Sequence, residues 1–192
     1  MTTIVAVRKN GIVSIAADTL TTFGNTRLPS AMDASHDKIL HIEGNHIGIC
    51  GSAAHHLVLA NLLGKIPNVQ LNSKEAIFET FRKLHPILKE ECFLNPKEDE
   101  EDPYESSQIT ALIANASGLF GIFSMREVFE YTEFWAIGSG HEFALGAMQY
   151  TYSQMDNAAD IACSGVEAGI AFDKNSAAPI TLYSVTMDAQ VK

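Results

Sequence analysis

The chain has 192 residues, 46% of them hydrophobic and 19% charged, and a net charge of −10. That length accommodates one domain with a sizeable core, while the acidic balance argues against a general nucleic-acid binder, which needs a basic face. No apolar run approaches the ~18 residues of a membrane-spanning helix, the opening Met-Thr-Thr has no signal-peptide character, and three widely separated cysteines (Cys50, Cys92 and Cys163) suit a reducing cytoplasm and form neither a disulfide framework nor a metal spacing.

Two apolar runs, 3–8 and 11–18, flank Lys9-Asn10-Gly11. Asn-Gly accepts positive φ at little cost, so this reads as a hairpin. Residues 20–23 are expected to be extended, with a loop marked by Gly24-Asn25 and Pro29-Ser30. A second hairpin is predicted from Lys38–Ile42 and His46–Cys50 across Glu43-Gly44-Asn45. Ser52 can cap a helix running to Leu63 and closed by Gly64. The next helix is expected to start near Asn72, with Glu75 three residues on in capping-box spacing. Ile77, Phe81, Leu84 and Leu88 give it one apolar face, and Pro86 is expected to kink or interrupt it.

Residues 95–106 combine two prolines with a block of acids and read as an exposed loop. Strand character then returns: Ile109–Ala114 and Leu119–Phe123 across Asn115–Gly118, followed by short extended segments at Glu127–Tyr131 and Phe134–Ile137. Gly138-Ser139-Gly140 turns into a helix carrying Phe143, Ala147 and Tyr150. A helix over 157–171 has a small-residue face of Ala158, Ala162, Gly165, Ala168 and Gly169, which lets it approach a sheet closely. A last strand covers Pro179–Met187.

No internal repeat or linker interrupts the chain, so residues 1–192 are expected to form a single domain. Strand groups alternating with helix pairs predict an α+β fold. Two antiparallel sheets are stacked, with a helix pair outside each, as a four-layer α-β-β-α sandwich. Both faces of each sheet would then be buried. That explains strands such as Ile109–Ala114, which are apolar without alternation.

The chemistry-bearing stretch is the opening one. Removal of Met1 would make Thr2 the first residue of a strand, with an α-amine and a hydroxyl on one residue. A chain's own amine can serve as the base for such a hydroxyl. Several motifs then occur in order. Thr2-Thr3-Ile4-Val5, Lys9-Asn10-Gly11 and Ala16-Ala17-Asp18 are followed by Thr22-x-Gly24-Asn25-Thr26, Cys50-Gly51-Ser52-Ala53, Ile137-Gly138-Ser139-Gly140 and Asp173-x-x-Ser176. Together they resemble the proteasome β-subunits and their bacterial relative HslV, over nearly the whole chain. The short chain with no propeptide is similar to the bacterial members. The acidic segment 95–106 is untypical of HslV and suggests the stand-alone bacterial proteasome homologues.

The resemblance implies an N-terminal nucleophile hydrolase fold and a threonine-type endopeptidase. It implies Thr2 as nucleophile, Asp18 to orient a lysine and the nucleophile, and Lys38 as that lysine, with Arg27 the only other cation between Asp18 and Lys38. Gly51 would supply the oxyanion N–H, and Ser139, Asp173 and Ser176 would form a supporting hydrogen-bond shell around the Thr2 amine. Thr21, Ile49 and Ala53 fall where the family lines its specificity pocket, and Thr22 and Gly51 where its backbone pairs with substrate.

The implied partners are polypeptide substrates and further copies of the chain in homo-oligomeric stacked rings, hexameric or heptameric. The family's unfoldase partners are ATPases, and the resemblance allows one here. Two alternatives stay open at this level: a catalytically inactive ring subunit of the same fold, and an amidohydrolase acting on a small molecule. No cofactor or metal is expected. His55 and His56 are adjacent and do not face one way. The acids of 98–102 lack the glycine and terminal Glu of a calcium loop. Gly138-Ser139-Gly140 lacks the remaining glycine and the lysine of a phosphate loop.

Overall fold

A computed structural model describes residues 2–66, 69–97 and 99–189. The first hairpin forms as the Asn-Gly turn requires: β1 (Ile4–Lys9) pairs antiparallel with β2 (Ile12–Asp18), and Asn10 and Gly11 both have positive φ. On its outer side β2 pairs with β11 (Ile180–Thr186), and β1 pairs with β10 (Phe134–Ile137). This sheet has the order β10-β1-β2-β11. The second sheet is a five-stranded antiparallel run: β5 (Ile39–Ile42), β6 (Asn45–Cys50), β7 (Thr110–Asn115), β8 (Gly118–Ile122) and β9 (Val128–Tyr131).

The two sheets stack, and the period of two along each strand divides its side chains between distinct layers. Ile4 and Ala6 of β1, with Ile15 and Ala17 of β2, pack against Leu112 and Ala114 of β7 and Leu119 of β8 between the sheets. The alternate residues Val5, Val7 and Ala16 face outward onto α3 (His141–Thr151) and α4 (Ala158–Phe172). On the far side, Ile47, Ala111, Ile113 and Phe120 face α1 (Ala53–Leu63) and α2 (Lys74–Glu90). Leu112 and Ile113 thus bury against different partners. That is why β7 is apolar on both faces from Ala111 to Ala114 without being a core helix. The architecture is the four-layer α-β-β-α sandwich. Among the described residues, no helix is long and apolar enough to cross a membrane.

Local differences from the sequence reading have identifiable causes. Segment 24–30 contains a strand, β4 (Thr26–Leu28), which pairs with β3 (Thr21–Phe23) as a separate two-stranded ribbon. The N-cap of α2 is Ser73, one residue after Asn72, and its hydroxyl accepts from Ala76 N–H. Pro86 lies inside α2 without ending it. It sits on the exposed side, so the carbonyl it leaves unbonded is on the solvent face of the helix. Leu84 and Leu88 hold the helix to the core on either side. In α3 the buried side chains are Ala144 and Met148, while Phe143 and Tyr150 are exposed.

Segment 95–106 carries neither helix nor strand among its described residues, and most of its acids are exposed. Its end is anchored: Ser106 is fully buried and its N–H donates to Pro96 O.

Phe81 is fully buried at the centre of the α1/α2 layer. Replacing it by Ala should cost about 3–5 kcal/mol through lost transfer energy and the cavity left behind. The expected outcome is a markedly lower midpoint in denaturant melts, read by circular dichroism.

Candidate active site

The end of β2 brings Asp18 beneath the start of β1. Asp18 is fully buried and Thr2 is 2% exposed. Thr2 Oγ1 donates to Asp18 Oδ1 at 2.6 Å. Lys38 reaches in from the start of β5, in the other sheet. Its Nζ donates to Thr2 Oγ1 at 2.7 Å and to Asp18 Oδ1 at 2.8 Å. An ammonium can only donate and a carboxylate can only accept, so the direction of every bond in this triangle is determined. Asp18 also accepts from Thr3 N–H at 2.9 Å, Leu20 N–H at 3.0 Å and Ala177 N–H at 3.1 Å. Burial pulls the Lys38 ammonium below the ordinary lysine value, against the attraction of Asp18 and Asp173.

A second network holds the Thr2 backbone. Thr2 N–H donates to Ser139 Oγ at 3.2 Å, and Ser139 donates its proton to Asp173 Oδ2 at 2.6 Å. Ser176 Oγ donates to the same Asp173 oxygen at 2.9 Å. The 2.8 Å contact between Ser176 Oγ and Thr3 Oγ1 is therefore donated by Thr3. Burial alone would push the Asp173 carboxyl up. The hydrogen bonds from Ser139, Asn175 and Ser176 outweigh it and hold the group below the usual carboxylate value.

Small residues make this packing feasible. Gly138 has φ of 91°, and a Cβ there would collide with the Thr2 carbonyl. A Cβ on Gly169 of α4 would strike the Thr3 hydroxyl.

Six of the sequence-derived candidates (Thr2, Asp18, Lys38, Ser139, Asp173 and Ser176) thus lie in one connected cluster. Arg27 is exposed on β4 and takes no part in it. Gly51, with φ of 113°, turns the chain from β6 into α1, and Ala53 is the exposed first residue of that helix. Thr21 and Thr22 are half-buried on β3. Ile49 is different: it is 6% exposed and packs in the core under α1 and α2. The alternation of β6 turns its neighbour Cys50 toward the interior between the sheets, beside the Gly138 backbone, and burial pushes the Cys50 thiol up to about 11. The floor beside the cluster is therefore a neutral thiol, and Ile49 has little surface left to line a pocket.

Two participants were not identified from the sequence. Thr3, which the opening motif includes without a role of its own, links the two networks. Asn175, whose backbone and side-chain N–H groups both bond Asp173 Oδ1, sits at the Asx-turn spacing that could have drawn attention to it. Among the described residues, no group of three or more His, Cys, Asp or Glu side chains is arranged to hold a metal ion.

A family model described as Proteasome subunit matches residues 1–185. The chain belongs to the proteasome subunit family. Among solved structures it is similar to BPH of Thiobacillus denitrificans. In its complex with epoxomicin, BPH is 35% identical, with 97% of this chain and 100% of that one covered and a TM-score of 0.91. A second structure of BPH is 37% identical over 97% and 98% of the two chains, also with a TM-score of 0.91. The eukaryotic HslV of Trypanosoma brucei, 22% identical over 96% and 99% with a TM-score of 0.69, shares the fold. No curated protein matches the chain. Within the proteasome family the fold is that of an N-terminal nucleophile hydrolase.

The depressed Asp173 carboxyl has a consequence for proteasome-fold stability. A carboxylate whose folded pKa lies below its unfolded value (~3.9) contributes stability above that value and loses it as pH falls through the folded pKa. Asp173→Asn should therefore flatten the loss of stability below about pH 4. Urea midpoints measured as a function of pH for both proteins check this.

Proposed function

We propose that this proteasome-family chain is a threonine-type endopeptidase that cleaves polypeptides with Thr2 as its N-terminal nucleophile once Met1 is removed. The observation that carries the proposal is the Lys38–Thr2–Asp18 triangle, in which an ammonium lies 2.7 Å from the hydroxyl oxygen of an N-terminal-region threonine. Negative charge developing on Oγ1 during attack on a carbonyl would be met by that cation, and Asp18 keeps the cation oriented.

The base is the α-amine that Met1 removal exposes, which takes the Oγ1 proton, directly or through a water, once the hydroxyl turns that proton from Asp18 toward the amine. Its reference pKa of ~7.7–8.0 lies close to working pH. The nearby Lys38 charge favours the neutral, basic form of the amine. Ser139, whose proton is committed to Asp173, would accept from one amine N–H and so orient the lone pair. While Met1 remains, Thr2 N is an amide and has no basicity to offer. Gly51 N–H serves as the oxyanion donor, a role worth ~2.7–4 kcal/mol where such donors have been removed.

Substrate would lie extended beside Thr22 and Gly51 as an added strand, with Thr21 lining the pocket for its side chain. Ala53 leaves room for an apolar side chain at the cleaved residue, with Ile49 contributing at most an edge.

The family also suggests homo-oligomeric stacked rings, hexameric or heptameric, enclosing the sites in a chamber in the cytoplasm, with an ATPase unfoldase as partner. Phe143 and Phe172 support assembly: they form an exposed ring pair, centroids 5.5 Å apart, on the outer face of α3 and α4.

In the Met1-free protein, Thr2→Ala should abolish peptide cleavage and leave ring assembly intact. Lys38→Ala should lower kcat by at least about 10²-fold. Turnover of a fluorogenic peptide and size-exclusion chromatography with light scattering read both effects. A Thr-directed covalent inhibitor should add one inhibitor mass to the Met1-free chain only, and epoxomicin, bound by the Thiobacillus denitrificans relative, is a natural one to test. Residual turnover in Thr2→Ala would put the nucleophile elsewhere. A monomer or dimer in solution would point to small-molecule amide hydrolysis.

A further inference from the structure

One cluster of titratable side chains touches the Lys38 segment and has no part in the chemistry derived above. Lys38 immediately precedes β5, and its carbonyl accepts from Ile49 N–H at 3.2 Å. The residue before it, Asp37, folds its carboxylate over the backbone. Asp37 Oδ1 accepts from Ile39 N–H at 2.9 Å, so Lys38 is the middle residue of a turn closed by a side chain.

The second carboxylate oxygen is also taken. Tyr183 O–H donates to Asp37 Oδ2 at 2.5 Å. Tyr183 belongs to β11 and lies opposite Ile15 of β2, so it is in the sheet that carries Thr2 and Asp18, whereas Lys38 enters the other sheet. The nucleophile and the cation thus come from different sheets. Two polar links join those sheets through consecutive residues: Lys38 to Asp18, and Asp37 to Tyr183.

The phenol itself is held in place. His41 of β5 meets the Tyr183 ring edge-on at 4.2 Å, and His46 of β6 stacks on it at 5.3 Å and 14°. The two imidazoles are cross-strand partners whose Nδ1 atoms are 2.8 Å apart, so a single proton lies between them. His41 Nε2 lies 3.8 Å from Asp37 Oδ2, and His56 of α1 also feels the Asp37 charge. Its hydrogen bond to Asp37, followed by burial and the Asp37 charge, pushes the Tyr183 phenol up to about 12, so it stays a donor across the working pH range.

We propose that Asp37 and Tyr183 are positioning residues for Lys38: the phenol anchored in one sheet fixes the turn from which the other sheet extends the ammonium to Thr2. This rests on the peptidase reading of the same site. A lysine stem has four rotatable carbons and its own bond to Asp18, so losing the anchor loosens the ammonium without releasing it. A shift of ~1 Å at such a site can cost on the order of 10²-fold in rate, and partial loosening should cost less, about 10-fold. The cation would also sit farther, on average, from the Thr2 amine. It would then oppose that amine's protonation less, so the amine pKa should rise.

The test uses assembled, Met1-free protein. Tyr183→Phe keeps the ring and its histidine contacts and removes only the hydroxyl. Expected are a kcat about 10-fold lower with KM changed less than about 2-fold, and an acid limb of kcat/KM displaced to higher pH. Asp37→Ala, which removes the acceptor of both Ile39 N–H and the Tyr183 hydroxyl, should move both readouts the same way and decides the matter if Tyr183→Phe fails to assemble. Unchanged kcat and an unchanged pH profile in an assembled variant would overturn the positioning role. If the unmutated protein shows no turnover, the peptidase reading fails instead. A crystal structure of the variant then decides the positioning separately: Lys38 Nζ still at hydrogen-bond distance from Thr2 Oγ1, with the Asp37 turn unmoved, would overturn it.

Discussion

A carboxylate cut off from water has to find its donors inside the protein, and at Asp18 five of them converge. They are the Thr2 hydroxyl, the Lys38 ammonium and the backbone N–H groups of Thr3, Leu20 and Ala177. They come from the chain start just before β1, from the entry to β5, from the residues after β2 and from the segment before β11. Removing the Lys38 ammonium would break a buried ion pair, at a cost of several kcal/mol. The same contacts that satisfy Asp18 therefore hold both sheets, the chain start and the last strand in register at one point. The Thr2 hydroxyl sits where it does because Asp18 needs a donor there.

The period of two along β1 divides the work at that point. Thr2 shares the inward parity of Ile4 and faces the gap between the sheets, where Lys38 enters. Thr3 shares the outward parity of Val5 and meets α4 and the Ser176–Asp173 network. One dipeptide thereby joins a network that carries positive charge to a network built around a second carboxylate. Glycine at 138 and 169 allows this proximity, since any side chain there would occupy the space of Thr2 or Thr3. Small residues on α4 thus serve the candidate site as much as the helix–sheet packing.

Much of this was legible in the residues. Asn10-Gly11 forces a hairpin, and the continuous apolar runs of β7 imply a sheet covered on both faces. Ser52 caps α1 with its side chain as expected, while Gly64 ends the helix in a right-handed conformation with φ of −66°, without the left-handed turn that favours glycine. Where the reading slipped, the reason was tertiary. Pro86 stays inside α2 because the carbonyl it frees is on the solvent face and flanking leucines hold the helix down. The β3–β4 ribbon forms in a stretch whose glycine and proline signal only a loop. Ile49 fell in a pocket-lining stretch of sequence, but strand parity sends it to the helical core and turns Cys50 inward. Thr3 carries no signal of its own, because a threonine at the entry to a strand is unremarkable until its partners are known, and Asn175 offers only its Asx-turn spacing from Asp173.

The residues alone imply the order of strands and helices apart from β4, the two-faced burial of the sheets and a short set of polar residues at strand ends and turns. Local propensity and periodicity operate over a few residues, and those features need nothing more. Only the tertiary structure decided that Lys38, and not Arg27, meets Thr2, and that Tyr183, 146 positions from Asp37, closes the turn behind it. Such contacts are set by how two twisted sheets stack and where the β3–β4 ribbon leaves the chain. Spacing along the sequence does not encode that geometry.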